Sequence, residues 1–503
     1  MNYLELLKFA APETLLVIAA LGVLGVDLLV MRNEPARYRL MVGAAVSCLG
    51  CFAATFWLLS VDQQAHALNG MLVLNSLTLL VKLSLLLLTV FTVVISLDSN
   101  FTQHVGEYFA LILLATVGMM FLVSAEEILM IFISLELASL SLYILTAFHK
   151  KNLQSAEAAL KYFLFGSIAA AFTLFGLSLI YGLSGATNLQ EIANALKGRT
   201  ADPLLMAGLI MTVIGFGFKV AAVPFHLWAP DAYQGAPTPS AAFIASGSKA
   251  ASFFVFAKVM MLGFAGAEGS GFWRNFIPGW APVLAILAAF SMVLGNLAAI
   301  AQSNVKRLLA YSAIAHAGYA LLGILTDSQQ GVSSLVYYVV TYAFTALGAF
   351  GVVAVVENTT GDSRLTDFAG LGRREPFLAF CMMIFMLSLA GIPPLAGFFG
   401  KFYLFAAAVG ANRDKLGLLW LVILAIAMSA VSLYYYLQVL KQIYVAAPPT
   451  HQGSSSLLMA SSTPISPLTR LAVGVLALVI FVLGCMPDLL LGRLAPAIQS
   501  AGL

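Results

Sequence analysis

A run such as "LLVIAALGVLGVDLLV", Leu15 to Val30, leaves a chain few choices. Nearly every side chain in it is apolar, and runs of this kind recur from one end of the sequence to the other. A helix of about 20 such residues crosses a hydrocarbon core about 30 Å thick. Transmembrane barrels are built from short strands of alternating polarity, whereas these runs are continuous. Of 503 residues, 61% are hydrophobic and 9% charged, against about 25% charged in soluble domains. The chain reads as an all-α polytopic membrane protein, and a soluble enzyme is excluded.

Spans are expected at about 12–31, 40–59, 71–96, 107–124, 127–148, 159–183, 203–226, 237–261, 280–301, 305–325, 331–356, 376–408, 417–445 and 467–486, about fourteen in all. The opening "MNYLELLKFAAPETLL" has no basic n-region or small-residue cleavage site, so the first span is read as retained. Most connections are short and leave no room for a soluble domain. Orientation follows the Lys and Arg near span ends. With the N-terminus outside, inner connections hold Arg32, Arg37, Arg39, Lys150, Lys151, Lys306, Arg307, Arg364, Arg373, Arg374, Lys441 and Arg470. The outer side holds fewer: Lys8, Lys197, Arg199, Arg274, Arg413, Lys415 and Arg493. Both termini are expected on the outer side. A net charge of +3, spread thinly over loops, offers no nucleic-acid surface.

Two spans carry breaks. The seventh, in "GFGFKVAAVPFHLWAPDAYQG", has Lys219 followed by Pro224; the twelfth, "MIFMLSLAGIPPLAGFFGKFYLFAAA", has Gly391, Pro393 and Pro394 before Lys401. Proline removes a backbone donor and clashes with the preceding turn. In hydrocarbon the freed carbonyls need partners inside protein or in a wet cavity. Five spans separate the breaks, which suggests two five-helix repeats, spans 4–8 and 9–13, of the kind transporters use. The expected organisation is residues 1–106 with three spans, 107–261 and 280–445 as the two repeats, and 446–503 with the last span.

An ionisable side chain within a span is costly and normally faces a cavity or a partner. The series here is Glu136, Lys161, Lys219, His226, Lys249 and Lys401, with His316 a weaker member. Burial penalises a charged ammonium and a nearby carboxylate favours it, so a Glu–Lys pair that forms and breaks can gate proton binding and release. Blander readings exist for each. Glu136 could be a structural hydrogen-bonding group, Lys161 and Lys258 could snorkel to an interface, and His226 could bond freed backbone. His226 lies seven residues after Lys219, on the same helical face if the break is mild. Lys82 and Asp27 have no recognisable partner. Lys306 and Arg307 read as topology anchors, and "SLYYYLQVLKQIY" as packing mixed with an interfacial aromatic belt.

Cys48 and Cys51 form a C-x-x-C inside an apolar run and read as buried small side chains; Cys381 and Cys485 are isolated. No His, Cys or carboxylate group has metal-ligand spacing. Neither a phosphate-binding loop nor a dinucleotide fingerprint is present. Energy for transport must come from an ion gradient or from partner subunits.

On the stretches "KVAAVPFHLWAPDAYQGAPTP", "SLELASLSLY", "LKYFLFGS", "SNVKRLLAYSAIAHAGY" and "GIPPLAGFFGKF", the sequence resembles antiporter-like subunit N of the bacterial proton-pumping NADH–quinone oxidoreductase, respiratory complex I. That subunit is the counterpart of mitochondrial and chloroplast subunit 2, and the resemblance covers nearly the whole chain. The phenylalanine before His226 and the "YQG" favour subunit N over subunits L and M. The resemblance implies an antiporter-like fold with two inverted repeats. It makes Glu136 and Lys219 the charged pair of the first half-channel, with Lys161 modulating it and His226 beside the broken helix. Lys249 would be the connecting lysine and Lys401 that of the second broken helix. It implies no cofactor in this subunit, while NADH, FMN, iron–sulfur clusters and quinone serve the rest of the complex. Subunits M and K are the implied neighbours, within the bacterial inner membrane. Rival readings are a multi-subunit Na+/H+ antiporter subunit and a non-pumping membrane scaffold.

Overall fold

The computed structural model describes residues 7–60, 65–99, 101–198, 202–273, 275–411, 417–447 and 466–502. Arg199, Arg274, Arg413, Lys415 and most of the polar stretch after Ala447 lie outside the described residues.

Among the described residues, thirteen helices are long and apolar enough to cross a membrane. They are α1 (Ala11–Val30), α2 (Ala36–Ser60), α3 (Ser76–Asp98), α4 (Val105–Ser124), α5 (Ile128–Thr146), α6 (Leu153–Ser184), α8 (Pro203–Val220), α10 (Thr238–Gly263), α11 (Trp280–Ile300), α12 (Val305–Leu325), α13 (Gln329–Thr360), α16 (Leu419–Tyr444) and α17 (Pro467–Cys485). Two shorter apolar helices, α14 (Pro376–Ala390) and α15 (Ala396–Gly410), occupy the expected twelfth span. Helices α7 (Leu189–Leu196), α9 (Trp228–Gly235) and α18 (Asp488–Ala501) lie between or after the spans. Two small antiparallel hairpins, Ala65–Ala67 with Leu72–Leu74 and Ser270–Phe272 with Asn275–Ile277, lie in connections.

Polar residues start the spans where the sequence has them. Side chains of Asn75, Glu127, Asn152, Asp202, Asn304, Ser328 and Ser466 accept hydrogen bonds from the first-turn amides of α3, α5, α6, α8, α12, α13 and α17. Each satisfies one of the orphan donors at a helix start.

Connections sort onto two faces. On the face where α1 starts, Glu126 N–H donates to Gly70 O and Ile128 N–H to Thr187 O. On the opposite face Asn304 bridges to Arg364, and Asn358 reaches Asp98. The core is a set of helices rather than a layer. Helix α13 is buried along its apolar window, and α10 and α12 nearly so. Peripheral helices turn Leu, Ile and Phe outward, as α6 does with Leu160, Phe163, Leu164 and Ile168. With hydrocarbon outside, an outward apolar face costs nothing. The three central helices carry Lys249, His316 and the tyrosines described below.

Both breaks differ from the proline-centred kinks expected. Helix α8 stops at Val220 because Ala221 adopts φ +58°. Ala222 N–H then returns to Gly217 O and Ala221 N–H to Phe218 O. Helix α14 stops the same way at Gly391, φ +85°, with Ile392 N–H returning to Leu387 O. These are left-handed helix caps. Pro224, Pro393 and Pro394 sit beyond them, in connections that cannot re-enter the helix. Gly391 is required twice over: its φ suits glycine, and a Cβ there would meet Lys401 Cδ at 3.0 Å. The seventh span thus ends six residues before His226, and α9 follows as a separate short helix. Lys219 and His226 therefore do not share a helical face.

Outside the spans, Glu268 and Asp327 meet from two connections on the α1-start face and share a hydrogen bond. Burial, then the adjacent Asp327 carboxyl, pushes the Glu268 carboxyl up to about 7. A carboxyl raised in the folded state adds stability that is complete below its ordinary unfolded value and is lost as pH rises through about 7. Glu268→Gln is therefore expected to match the unsubstituted protein in thermal unfolding near about pH 5 and to melt higher near about pH 8. An equal shift at both pH values would refute the assignment.

Candidate functional site

Helices α5, α8 and α6 build the first cluster. Glu136 and Ser139 lie one turn apart on α5, and Tyr143 one turn further. Lys219, in the last turn of α8, points into them: Nζ is 3.7 Å from Glu136 Oε1 and donates to Ser139 Oγ. Its ammonium also sits 5.9 Å from the Tyr143 ring and 5.6 Å from that of Phe218. Lys219 is buried, whereas the Glu136 side chain is 26% exposed on the flank of the chain. At 3.7 Å two unit charges attract by about 4 kcal/mol at an effective dielectric constant of 20, less where water reaches the carboxylate. That is of the same order as the cost of burying an ammonium, so Glu136 is what offsets burial of the Lys219 ammonium. The α8 end is kept intact around it: Trp228 Nε1 donates to Phe218 O at 3.0 Å, and Val223 N–H to Ser291 Oγ at 2.9 Å.

The second cluster lies where α10, α12, α13, α15 and α16 meet. Lys249 is buried and donates to Ala313 O at 2.8 Å. Ala313 is one turn from His316, which bonds the Tyr338 hydroxyl through Nδ1 at 2.6 Å and that of Tyr436 through Nε2 at 3.1 Å. A cavity of about 10 Å³, bordered by Lys249, His316, Tyr338 and Tyr342, separates lysine from imidazole. That is about the room one water needs. Lys401, on α15, reaches back across the second break. Its Nζ donates to Leu389 O (2.9 Å), Ala390 O (3.1 Å) and Ser429 Oγ (2.8 Å), and lies 5.1 Å from the Tyr319 ring. An ammonium on the last carbonyls of α14 meets both their unmet hydrogen bonds and the negative end of the helix dipole.

The other sequence candidates fall elsewhere. Lys161 pairs with Asp231 at 2.8 Å and Glu157 at 2.7 Å, not with Glu136, in a cleft where Arg307 holds the other Asp231 oxygen at 2.5 Å. Arg307 is thus a network member rather than a bare anchor. His226 is half-buried and its Nδ1 has no hydrogen-bond partner among the described residues, while Lys219 bonds Ser139 and Glu136 instead. Lys306 is buried and bonds Glu357 (2.8 Å) and Thr238 (3.2 Å) at the floor of a polar cleft of about 500 Å³ on the face opposite the α1 start.

Sequence reasoning missed several buried pairs. Lys258, on the side of α10 away from Lys249, does not snorkel: it turns inward to Glu126 at 3.0 Å and to Val123 O and Ala125 O. Lys82 meets Glu13 at 2.6 Å, both fully enclosed. Asp27 is held two-pronged by Arg39, at 2.7 and 2.5 Å, and by Gly106 N–H. Tyr435 and Tyr436, expected partly as an interfacial belt, are buried and hydrogen-bonded to Asn296 and Ser312. The partner residues are far apart in sequence, so only a polar letter inside an apolar run could have flagged them. Among the described residues, no group of three or more His, Cys, Asp or Glu is placed to hold a metal ion.

The enclosed Glu13–Lys82 pair makes a stability prediction. Glu13→Gln strands a buried ammonium and is expected to cost about 3–5 kcal/mol, while Glu13→Leu with Lys82→Met recovers most of the loss. Thermal unfolding of both variants checks this; a single variant as stable as the parent would overturn it.

The transmembrane family model described as NADH:quinone oxidoreductase/Mrp antiporter matches residues 125–430. NADH-quinone oxidoreductase subunit N 2 of Acidobacterium capsulatum is 50% identical, over 97% of this chain and 98% of its own. Subunit N of Moorella thermoacetica is 41% identical over 96% of each. Among solved structures, a chain of respiratory complex I from Thermus thermophilus with bound aureothin superposes with TM-score 0.79 at 33% identity, covering 97% of this chain and all of that one. A chain of the Mrp complex from Dietzia has TM-score 0.80 at 20% identity, a likeness of fold alone. With half its residues identical to such a subunit over nearly its full length, the chain belongs to the bacterial NADH–quinone oxidoreductase subunit N family.

Proposed function

We propose that the chain is the proton-translocating antiporter-like subunit N in the membrane arm of a bacterial NADH–quinone oxidoreductase. NADH oxidation and quinone reduction take place in other subunits, on FMN, iron–sulfur clusters and quinone, and this chain holds no redox group of its own. It is a multi-pass protein of the bacterial inner membrane and works inside a heteromeric complex. The observation that carries the reading is the buried Lys219 held 3.7 Å from the partly exposed Glu136 beside a helix break, in a chain that matches subunit N over 97% of its length. A Na+/H+ antiporter subunit shares the fold but not this level of identity.

Glu136 lies on the flank of the chain, where a charge arriving from a neighbouring subunit can be felt. While Glu136 is ionised, it stabilises the Lys219 ammonium. When the carboxylate is neutralised or drawn away, burial alone acts on Lys219 and the ammonium gives up its proton. Lys249, His316 and Lys401 continue the series through the chain's centre, and Lys161 biases it from the Asp231–Arg307 network. His226, at the first break, is a further proton-transfer candidate. The neighbours are subunit M and the small subunit K, and both termini face the periplasm, as the Lys and Arg distribution favours.

The same reading treats residues 107–261 and 280–445 as two inverted five-helix repeats, flanked by 1–106 and 446–503. Its support is the matching pair of left-handed caps, Ala221 and Gly391, each placed next to a buried lysine.

Glu136→Gln and Lys219→Ala, assembled in the intact complex in sealed vesicles, are each expected to lower quinone-coupled proton pumping about tenfold or to the contribution of the other subunits. Pumping that persists in both, with normal assembly, would sink the proton-channel reading and favour a scaffold.

A further inference from the structure

Lys249, His316 and Lys401 are set apart by more than a hydrogen bond. Between His316 and Lys401 stands the Tyr319 ring, 5.7 Å from the imidazole and 5.1 Å from the Lys401 ammonium, with its hydroxyl accepting from Asn296. Helix α16 lines the same interval with hydroxyls. Lys401 Nζ donates to Ser429 Oγ at 2.8 Å. Ser432 Oγ donates to Ser429 O at 2.6 Å. Tyr436 OH meets His316 Nε2 at 3.1 Å and Ser312 Oγ at 2.5 Å. Ser429, Ser432 and Tyr436 are spaced i, i+3, i+7, so they share one face of α16. Side chains on a helix lean toward its N-terminus, which carries the tyrosine hydroxyl back toward the serines. Ser432 and Tyr436 are enclosed, 1% and 0% exposed, while Ser429 is partly buried. Outward positions of the same helix, Ile423, Ile426 and Tyr434, are exposed.

Three hydroxyls along one stripe that touches Lys401 at one end and His316 at the other need a reason. Each can both donate and accept, which an apolar or purely donating side chain cannot do. We propose that the Ser429–Ser432–Tyr436 face of α16 is the proton-carrying bridge between His316 and Lys401, and that Tyr338 and Tyr436 are positioning residues that set the tautomer of His316. The proposal rests on the proton-translocation reading above.

A neutral imidazole accepts at one nitrogen and donates at the other. In one state Tyr338 O–H donates to His316 Nδ1, His316 Nε2–H donates to Tyr436, and Tyr436 O–H donates to Ser312. When a proton moves through, His316 gains one at Nδ1 and gives one up at Nε2, so its charge is unchanged at the end. Tyr436 takes the released proton on its oxygen, and its own hydroxyl proton turns from Ser312 toward a water or hydroxyl of the serine stripe and leaves by it. That proton ends on Lys401 when the lysine is neutral, turning its amine into the ammonium that now caps α14. The Tyr338 proton is replaced from the Lys249 side, through the cavity of about 10 Å³ that both side chains border. Tyr338 also packs against Gly400, where a Cβ would lie 2.8 Å from its ring, next to Lys401 in the chain.

The test uses the intact complex in sealed vesicles, with protons pumped per NADH oxidised as the readout. Tyr436→Phe and Ser429→Ala remove one hydroxyl each with little change in volume, and Ser429→Thr restores one. The bridge predicts that Tyr436→Phe and Ser429→Ala each lower the ratio about tenfold or to the contribution of the other subunits, and that Ser429→Thr stays near the parent value. A packing role would not distinguish alanine from threonine in this way. Unchanged pumping in both hydroxyl-deletion variants, or equal losses in Ser429→Ala and Ser429→Thr with full assembly, would overturn the proposal. Loss of pumping in Lys219→Ala alongside normal pumping in Tyr436→Phe would remove the bridge and leave the subunit's proton function standing. Normal pumping in Lys219→Ala would remove that function itself. If Tyr436→Phe fails to assemble, the Ser429 pair decides alone.

Discussion

In hydrocarbon no solvent completes a broken backbone ladder, and that constraint organises this molecule. Two spans stop in mid-course, and at each stop the freed groups are met by protein. At the first, the Trp228 indole takes Phe218 O and Ser291 takes the Val223 amide. At the second, the Lys401 ammonium takes the carbonyls of Leu389 and Ala390, and Ser388 Oγ takes the Gly397 amide. The breaks are therefore not local defects. Each is an opening that exists because neighbouring helices carry the right donor at the right height.

The two breaks solve the same problem with different groups, and the difference bears on function. Lys219 lies before its break and points away from it, toward Glu136, because an indole already serves the carbonyl. Lys401 lies after its break and is itself the donor. Deprotonating Lys219 leaves the α8 terminus untouched. Deprotonating Lys401 weakens the cap of α14, since a neutral amine has fewer protons to share and no charge to set against the helix dipole. Proton occupancy and backbone geometry are thus linked at the second break and separable at the first.

Charge elsewhere is handled by pairing. Glu13 with Lys82 and Asp27 with Arg39 join the first three helices to one another, while Glu126 with Lys258 and Glu357 with Lys306 tie a connection and a helix end to the central helices. Enclosed pairs of this kind contribute little net stability but make loss of either partner costly. They fix which helices meet. Lys249 differs from them all: among the described residues its hydrogen-bond partner is a carbonyl, Ala313 O, and no carboxylate is paired with it there.

Composition and run length alone determined that the chain crosses the membrane many times, because the cost of placing polar residues in hydrocarbon leaves few alternatives. The same reasoning marked Glu136, Lys219, Lys249 and Lys401, since one charged letter inside an apolar run is conspicuous. It could not see that Lys82 belongs to Glu13, that Lys258 turns inward, or that Lys161 answers to Asp231. Nor could it place the helix ends, because Ala221 carries no sign that it will take a left-handed backbone. The buried face of α16 was hidden too: serine and tyrosine are tolerated at lipid, at an interface or in a core, and "SAVSLYYYL" reads the same in all three. Which of these it is depends on what packs against it. Only the meeting of α12, α13, α15 and α16 decided that Tyr436 faces His316 and Ser429 faces Lys401, because hydrogen bonds act over about 3 Å and sequence spacing fixes distance only within one helix.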